Sequence, residues 1–274
     1  MNKIHITTLG CPKNSVDSGH LGKAFLSQGF TITGGPEDAD VLLVNTCGFI
    51  KDAKEESIEE VLELAKLKSR TRKKLLVFGC LAARYRDELL KEIPEIDALW
   101  GVGEDEKIIE YCKGLRDAEG KGQKAKGKEK EAVAPCPAPC ASSYAYLKIA
   151  EGCDKKCTFC VIPSIRGKFR SNPAKGILEE AKEYIRRGTR ELILVAQDIT
   201  NYGKEAADYN LVSLLKDLAS LDGDFRIRLL YLYPTAVSDE LIDYMAAEPR
   251  IQKYLDIPLQ HSEDRILRLM GRRG

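Results

Sequence analysis

Strand-like apolar runs separated by helix-period stretches dominate the first hundred residues, and that alternation confines the chain to a few α/β folds. The run Ile4, Ile6, Leu9 ends at Gly10-Cys11, Val41-Leu42-Leu43-Val44 ends at Asn45-Thr46-Cys47-Gly48, and Leu75-Leu76-Val77-Phe78 ends at Gly79-Cys80. Between them, Val16, Leu21, Phe25 and Leu26 share a helical face that Asn14 is placed to cap and Gly29 to stop. Ile58, Val61, Leu62 and Ala65 form a second such face, and a short helix carrying Tyr85, Leu89 and Leu90 precedes Pro94. Uniformly apolar strands joined by helices predict an open parallel α/β sheet over residues 1–112.

The three strand-end cysteines stand about 35 residues apart, the length of one βαβ step. Cys11, Cys47 and Cys80 therefore belong to the carboxyl ends of the strands, where open sheets of this kind keep their ligand crevice. A lone cysteine there reads as a small buried apolar residue; three at equivalent positions read as a shared site.

Composition sharpens this. Nine cysteines among 274 residues are too many for ordinary packing, and an odd number cannot pair completely. The N-terminal MNKIHITTLGC lacks an apolar secretory region, and no run approaches the roughly 18 apolar residues of a spanning helix, so a cytoplasmic chain without membrane contact is expected. In that compartment, clustered thiols point to metal or redox chemistry. Lys+Arg 43 against Asp+Glu 42 leaves a net charge of +1, and no direct nucleic-acid binding is expected.

Residues 113–143 read as a charged, proline-containing linker in which Cys136 and Cys140 are adventitious, and Cys112 has no companion nearby. A second α/β block runs from 144 to 274. Its strand-like runs are Tyr144–Ala150, Leu192–Ala196, Ile227–Leu232 and Tyr254–Pro258. Helical faces fall between them: Ile177, Leu178, Ala181 and Ile185 up to Gly188, then Leu211, Leu214, Leu215 and Leu218. Four strands do not close a barrel, so this block is expected to be an incomplete (β/α) barrel, truncated after the helix-like run Ile266–Met270.

Directly after the first strand of that block comes EGCDKKCTFC, in which Cys153, Cys157 and Cys160 form a CxxxCxxC. Three thiolates within eight residues can wrap one metal centre, and these spacings are those of iron–sulfur loops. A closed zinc site wants a fourth ligand, and His5, His20 and His261 all lie outside the motif. Three ligands leave one cluster iron open to a small molecule. At the end of the next strand, Gln197 and Asp198 face the same rim, although Asp198 is equally suited to cap a helix.

A CxxxCxxC after the first strand of a βα barrel resembles the radical S-adenosylmethionine superfamily. The resemblance implies that Cys153, Cys157 and Cys160 ligate a 4Fe–4S cluster that chelates S-adenosylmethionine, with Phe159 near the adenine and Gln197 and Asp198 in the cofactor's vicinity. With Cys11, Cys47 and Cys80 upstream, the chain resembles the methylthiotransferases, which implies a second 4Fe–4S cluster on those three. The segments LGCPKNSVDS, NTCGFIKDAKEES, YLKIAEGCDKKCTFCVIPSIRGKFRS, LLYLYPT and DIPLQHSEDRILRLM are similar to the ribosomal-protein branch. The tRNA-modifying branch carries GCQMN-type and PVQSGS-type motifs where this chain has Gly10–Asn14 and Pro258–His261. The resemblance implies methylthiolation of an aspartate β-carbon in small-subunit ribosomal protein twelve, with a low-potential electron donor. The family ordinarily adds further barrel strands and a small β-rich C-terminal domain, expected to be absent here. A tRNA adenosine methylthiotransferase, a non-catalytic iron–sulfur redox protein and a zinc-stabilised binding protein are the alternatives.

Overall fold

A computed structural model describes residues 1–120, 143–206 and 208–272. The chain divides into two compact units, Met1–Cys140 and Ala141–Gly274. Cys136 and Cys140 lie outside the described residues.

The first unit is an open five-stranded sheet, all parallel, built from β1 (Lys3–Thr8), β2 (Thr31–Ile32), β3 (Val41–Thr46), β4 (Lys74–Gly79) and β5 (Ala98–Trp100) in the order β2-β1-β3-β4-β5. Between strands run α1 (Pro12–Ser27), α2 (Lys51–Ser69), α3 (Cys80–Arg84), α4 (Arg86–Glu92) and α5 (Asp105–Gly120). All six residues of β3 are buried, as a central strand covered on both faces requires. Apolar side chains gather in two clusters, one around Leu42, Val44, Leu75 and Val77, the other around Ile4, Leu43, Leu76 and Ile108.

Several sequence expectations are corrected here. Asn14 does not cap α1. Cys11 is the N-cap residue with Pro12 at the first helical position, so Asn14 lies inside the first turn and its amide reaches Leu9 O and Thr46 O. The helix before Pro94 is two helices, broken at Tyr85 (φ −127°, ψ 40°). Leu62 is 42% exposed, and Leu64 takes the buried position beside Val61 and Ala65. Helix α5 continues past 112 to Gly120, into the stretch read as linker, because Leu115 packs on the Ile108 cluster and Arg116 lies over the Phe30 ring at 4.5 Å.

The second unit is an open parallel sheet of four strands, in the order Ile251–Leu255, Arg226–Leu229, Glu191–Val195, Tyr144–Lys148. Its strands are β6 (Tyr144–Lys148), β9 (Glu191–Val195), β10 (Arg226–Leu229) and β11 (Ile251–Leu255), which alternate with α7 (Ala174–Arg186), α8 (Leu211–Ala219) and α9 (Asp239–Ala247). A two-residue antiparallel pair, β7 (Ala150–Glu151) with β8 (Arg170–Ser171), closes the neck of a long loop that carries the short α6 (Ile162–Arg166), and α10 (Asp264–Leu269) follows β11. The expected strand at 144–150 is thus interrupted at Ile149. The strand at 227–232 ends at Leu229, since Tyr231 turns into left-handed backbone (φ 65°); β11 lies three residues earlier than the run at 254–258. Helix α7 stops where Gly188 was expected to stop it: Gly188 N–H donates to Ile185 O and Thr189 N–H to Tyr184 O, with Gly188 at φ 90°.

Candidate functional site

In the first unit, parallel register puts Thr8 level with Asn45 and Thr46 level with Gly79, so the loops after β1, β3 and β4 leave the sheet at one height. They touch. A Cβ on Gly10 would lie 2.6 Å from Cys47 Cβ and 2.9 Å from Cys47 Sγ, and one on Gly48 would lie 2.9 Å from Cys80 O. Gly10 is at φ 92°, so neither its backbone nor its surroundings admit a side chain. Cys11 is half-buried, and Cys47 and Cys80 are buried.

A buried polar network fixes these turns. Asn14 Nδ2 donates to Leu9 O at 2.8 Å and Thr46 O at 3.3 Å; Asn45 Nδ2 donates to Asn14 O and Ser18 Oγ, both at 3.0 Å. Thr46 Oγ1 donates to Phe78 O at 2.7 Å, and Cys47 N–H donates to Ser57 Oγ at 2.9 Å. Sequence reasoning missed this network, although the polar run Asn45-Thr46 at an apolar strand end was its signal.

In the second unit the loop holding Cys153, Cys157 and Cys160 is tied at both ends. Cys153 N–H donates to Gly167 O at 3.1 Å, Asp154 Oδ1 accepts Phe169 N–H at 3.0 Å, and Thr158 N–H donates to Met270 O at 3.0 Å. Under its neck lies a part-buried ion triad missed from sequence. Glu151 meets Lys148 Nζ at 3.0 Å and Arg166 at 3.0 Å. Burial pushes the Glu151 carboxyl up, but the two cations prevail and hold it at about 2. Burial raises the Cys153 thiol, as do the negative charge of Asp198 and the neighbouring Cys160 and Cys157; burial also raises Cys160, opposed by the Ile162 N–H and Arg272.

Asp198 is 2% exposed and caps the turn Ile199–Asn201, accepting Thr200 N–H at 3.1 Å, with Lys155 Nζ 3.6 Å away. Lys155 also lies 3.8 Å from the Tyr233 ring centroid. The Gln197 amide oxygen and nitrogen are both buried, and neither has a hydrogen-bond partner among the described residues. Phe159 is 47% exposed. Among the described residues, the two non-glycine positions with left-handed backbone are Tyr231 and Gln260 (φ 70°), in the LLYLYPT and DIPLQH segments.

Among the described residues no cysteine is in a disulfide, and no three His, Cys, Asp or Glu side chains stand as a closed metal set. What the structure places together in the first unit is Cys47 against Gly10 and Cys80 against Gly48, and thiols are the ligands that iron–sulfur clusters take. Glycine-lined turns there, and an unsatisfied buried amide in the second unit, fit a bound group.

Residues 3–101 match the model described as Uncharacterized protein family UPF0004, and residues 147–274 match the Radical SAM superfamily. The protein described as ribosomal protein uS12 methylthiotransferase RimO from Thermodesulfovibrio yellowstonii is 52% identical over 274 residues, covering 100% of this chain and 62% of that protein. Its counterpart from Acetivibrio thermocellus is 46% identical over 281 residues, covering 99% of this chain and 62% of that one. Over its whole length the chain is thus similar to methylthiotransferases of the radical S-adenosylmethionine type. It spans about three fifths of the length of these relatives. Solved structures of two radical S-adenosylmethionine enzymes share this chain's fold. The methyltransferase TsrM from Kitasatospora setae, with tryptophan substrate and a SAM analog bound, has a TM-score of 0.65 at 13% identity over 97% of this chain and 61% of its own. The cobalamin-dependent radical enzyme OxsB has a TM-score of 0.67 at 11% identity over 100% of this chain and 46% of its own.

Proposed function

We propose that this chain is the cluster-binding part of a methylthiotransferase that modifies an aspartate β-carbon of ribosomal protein uS12. Its working place is the cytoplasm, its reductant a low-potential electron donor, and no contact with nucleic acid is required. Among the described residues no helix is long and apolar enough to cross a membrane. Cys11, Cys47 and Cys80 would hold one 4Fe–4S cluster, and Cys153, Cys157 and Cys160 a second.

The observation that carries this reading is the buried Gln197 amide without a partner, at the end of the strand beside the CxxxCxxC loop. Leaving an amide group unsatisfied costs about 1–3 kcal/mol for each group, a cost that a polar cofactor would remove. S-adenosylmethionine bound at the second cluster would supply the 5′-deoxyadenosyl radical chemistry that an unactivated C–H demands. The chain's own residues do the rest. Gln197 offers a donor and an acceptor to the cofactor's polar groups. Asp198, anchored by its cap and by Lys155, sets the backbone on which Gln197 stands, and exposed Phe159 offers an aromatic face for a base.

The test is anaerobic iron and labile-sulfide content of the parent chain and of a Cys153→Ala, Cys157→Ala, Cys160→Ala variant. About eight irons falling to about four is the expected result. About four falling to none would remove the first cluster and the methylthiotransferase reading with it. Methylthiolation assays of the extended protein on a uS12 loop peptide and on tRNA then decide the substrate.

A further inference from the structure

Helix α2 reaches the cysteine after β3 through one buried hydroxyl. Ser57 is 0% exposed. Its Oγ accepts the Cys47 N–H at 2.9 Å, and its proton has two carbonyls in reach, Ala53 O at 2.8 Å and Cys47 O at 3.2 Å. A hydroxyl has one proton and two lone pairs, so the bond to Ala53 pins the oxygen to its own helix while a lone pair grips the Cys47 peptide. The helix does not need this. Ser69, at the other end of α2, makes the same i−4 bond, to Ala65 O at 2.9 Å, as an ordinary helical serine does. What distinguishes Ser57 is its reach across ten residues of chain to the backbone of a candidate ligand. On the other side Gly10 stands so close to Cys47 that it has no room for a methyl group.

We propose that Ser57 is a positioning residue for Cys47: it fixes the peptide from which the thiol projects and so keeps the sulfur at the rim beside Gly10. The inference rests on the reading of Cys11, Cys47 and Cys80 as ligands of one cluster. Its chemical content is that the ligand's backbone is set before any iron arrives, so cluster assembly does not have to order it.

The experiment is pulsed alkylation of the full, cluster-free, reduced chain by iodoacetamide, read cysteine by cysteine by mass spectrometry. Ser57→Ala is expected to speed alkylation of Cys47 about tenfold, the factor that follows from losing one buried hydrogen bond. Cys112, buried in α5 at 1% exposure, should be unchanged. Ser69→Ala should move neither, and Ser57→Thr, which keeps the hydroxyl, should stay within about twofold of the parent. Acceleration of Cys47 and Cys112 together, including that of a variant that fails to fold, would mean that Ser57 merely supports the core, and overturns the proposal. So does an unchanged Cys47, or a threonine variant that behaves like alanine. In the Cys153→Ala, Cys157→Ala, Cys160→Ala background, Ser57→Ala should also lose reconstituted iron to a chelator several times faster. A background that takes up no iron at all refutes the cluster reading instead, while alkylation decides the role of Ser57 by itself.

Discussion

Glu151 and Gln197 are opposite solutions to burying a polar side chain. Glu151 is matched by two cations, and removing one partner of such a group costs about 3–5 kcal/mol because the other charges stay behind. Glu151→Gln should therefore lower the stability of the second unit by about that amount at pH 7, as read by urea unfolding. The same carboxyl predicts an acid limit. Its folded pKa is depressed from 4.5 to about 2, so its contribution is complete above the unfolded value and is lost as pH falls from about 5 to about 2. The Glu151→Gln variant should show no such loss in that window. Gln197 is unmatched, so the outcome reverses. Gln197→Met should leave the unloaded chain as stable or up to about 1–2 kcal/mol more stable in thermal unfolding, while S-adenosylmethionine binding falls. A destabilised Gln197→Met variant that still bound the cofactor would show the amide to be structural.

At the scale of the element, the first unit's function depends on turns rather than on strands. Gly10→Ala places a methyl 2.6 Å from Cys47 Cβ at φ 92°, and the loop after β1 must move to accept it. About half the reconstituted iron should be lost, with the CxxxCxxC cluster intact by electron paramagnetic resonance. The strands that carry these turns were legible in sequence, because fully apolar runs such as Val41–Val44 announce a buried parallel strand. The spacing of the six cysteines was legible too, and their role as ligands stays a proposal. The errors fall where tertiary structure overrides the local pattern. Periodicity could not choose between Leu62 and Leu64, since both lie near the edge of one helical stripe, and the sheet beneath α2 decided for Leu64. Asn14 looked like a cap; the proline ahead of it moved the helix start to Cys11 and released the amide to bind two strand ends. Ser57 carries no local signal, because its partner Cys47 sits ten residues away in the turn after β3.

At the scale of the whole molecule, each unit draws its core from its own residues and, among the described residues, carries a part-buried carboxylate held ionised by two cations. In the first unit this is Asp97, with Lys68 Nζ at 2.6 Å and Lys74 Nζ at 2.8 Å. Burial raises the Asp97 pKa, but hydrogen bonds from Lys68, Lys74 and the Leu75 N–H prevail and hold it below its ordinary value. A carboxyl depressed in the folded state stabilises it above the unfolded pKa and loses that contribution as pH falls through the lowered value. Both units should thus fail toward acid, each through its own charged hub. They can be watched separately, since the only tryptophan in the sequence, Trp100, is buried in the first unit. Asp97→Asn should shift the acid transition seen by tryptophan fluorescence, and Glu151→Gln should leave that transition in place while changing the far-ultraviolet circular dichroism. Fluorescence that followed Glu151→Gln instead would mean that the two cores unfold as one, and that a charge under the CxxxCxxC loop governs the stability of both cysteine rims.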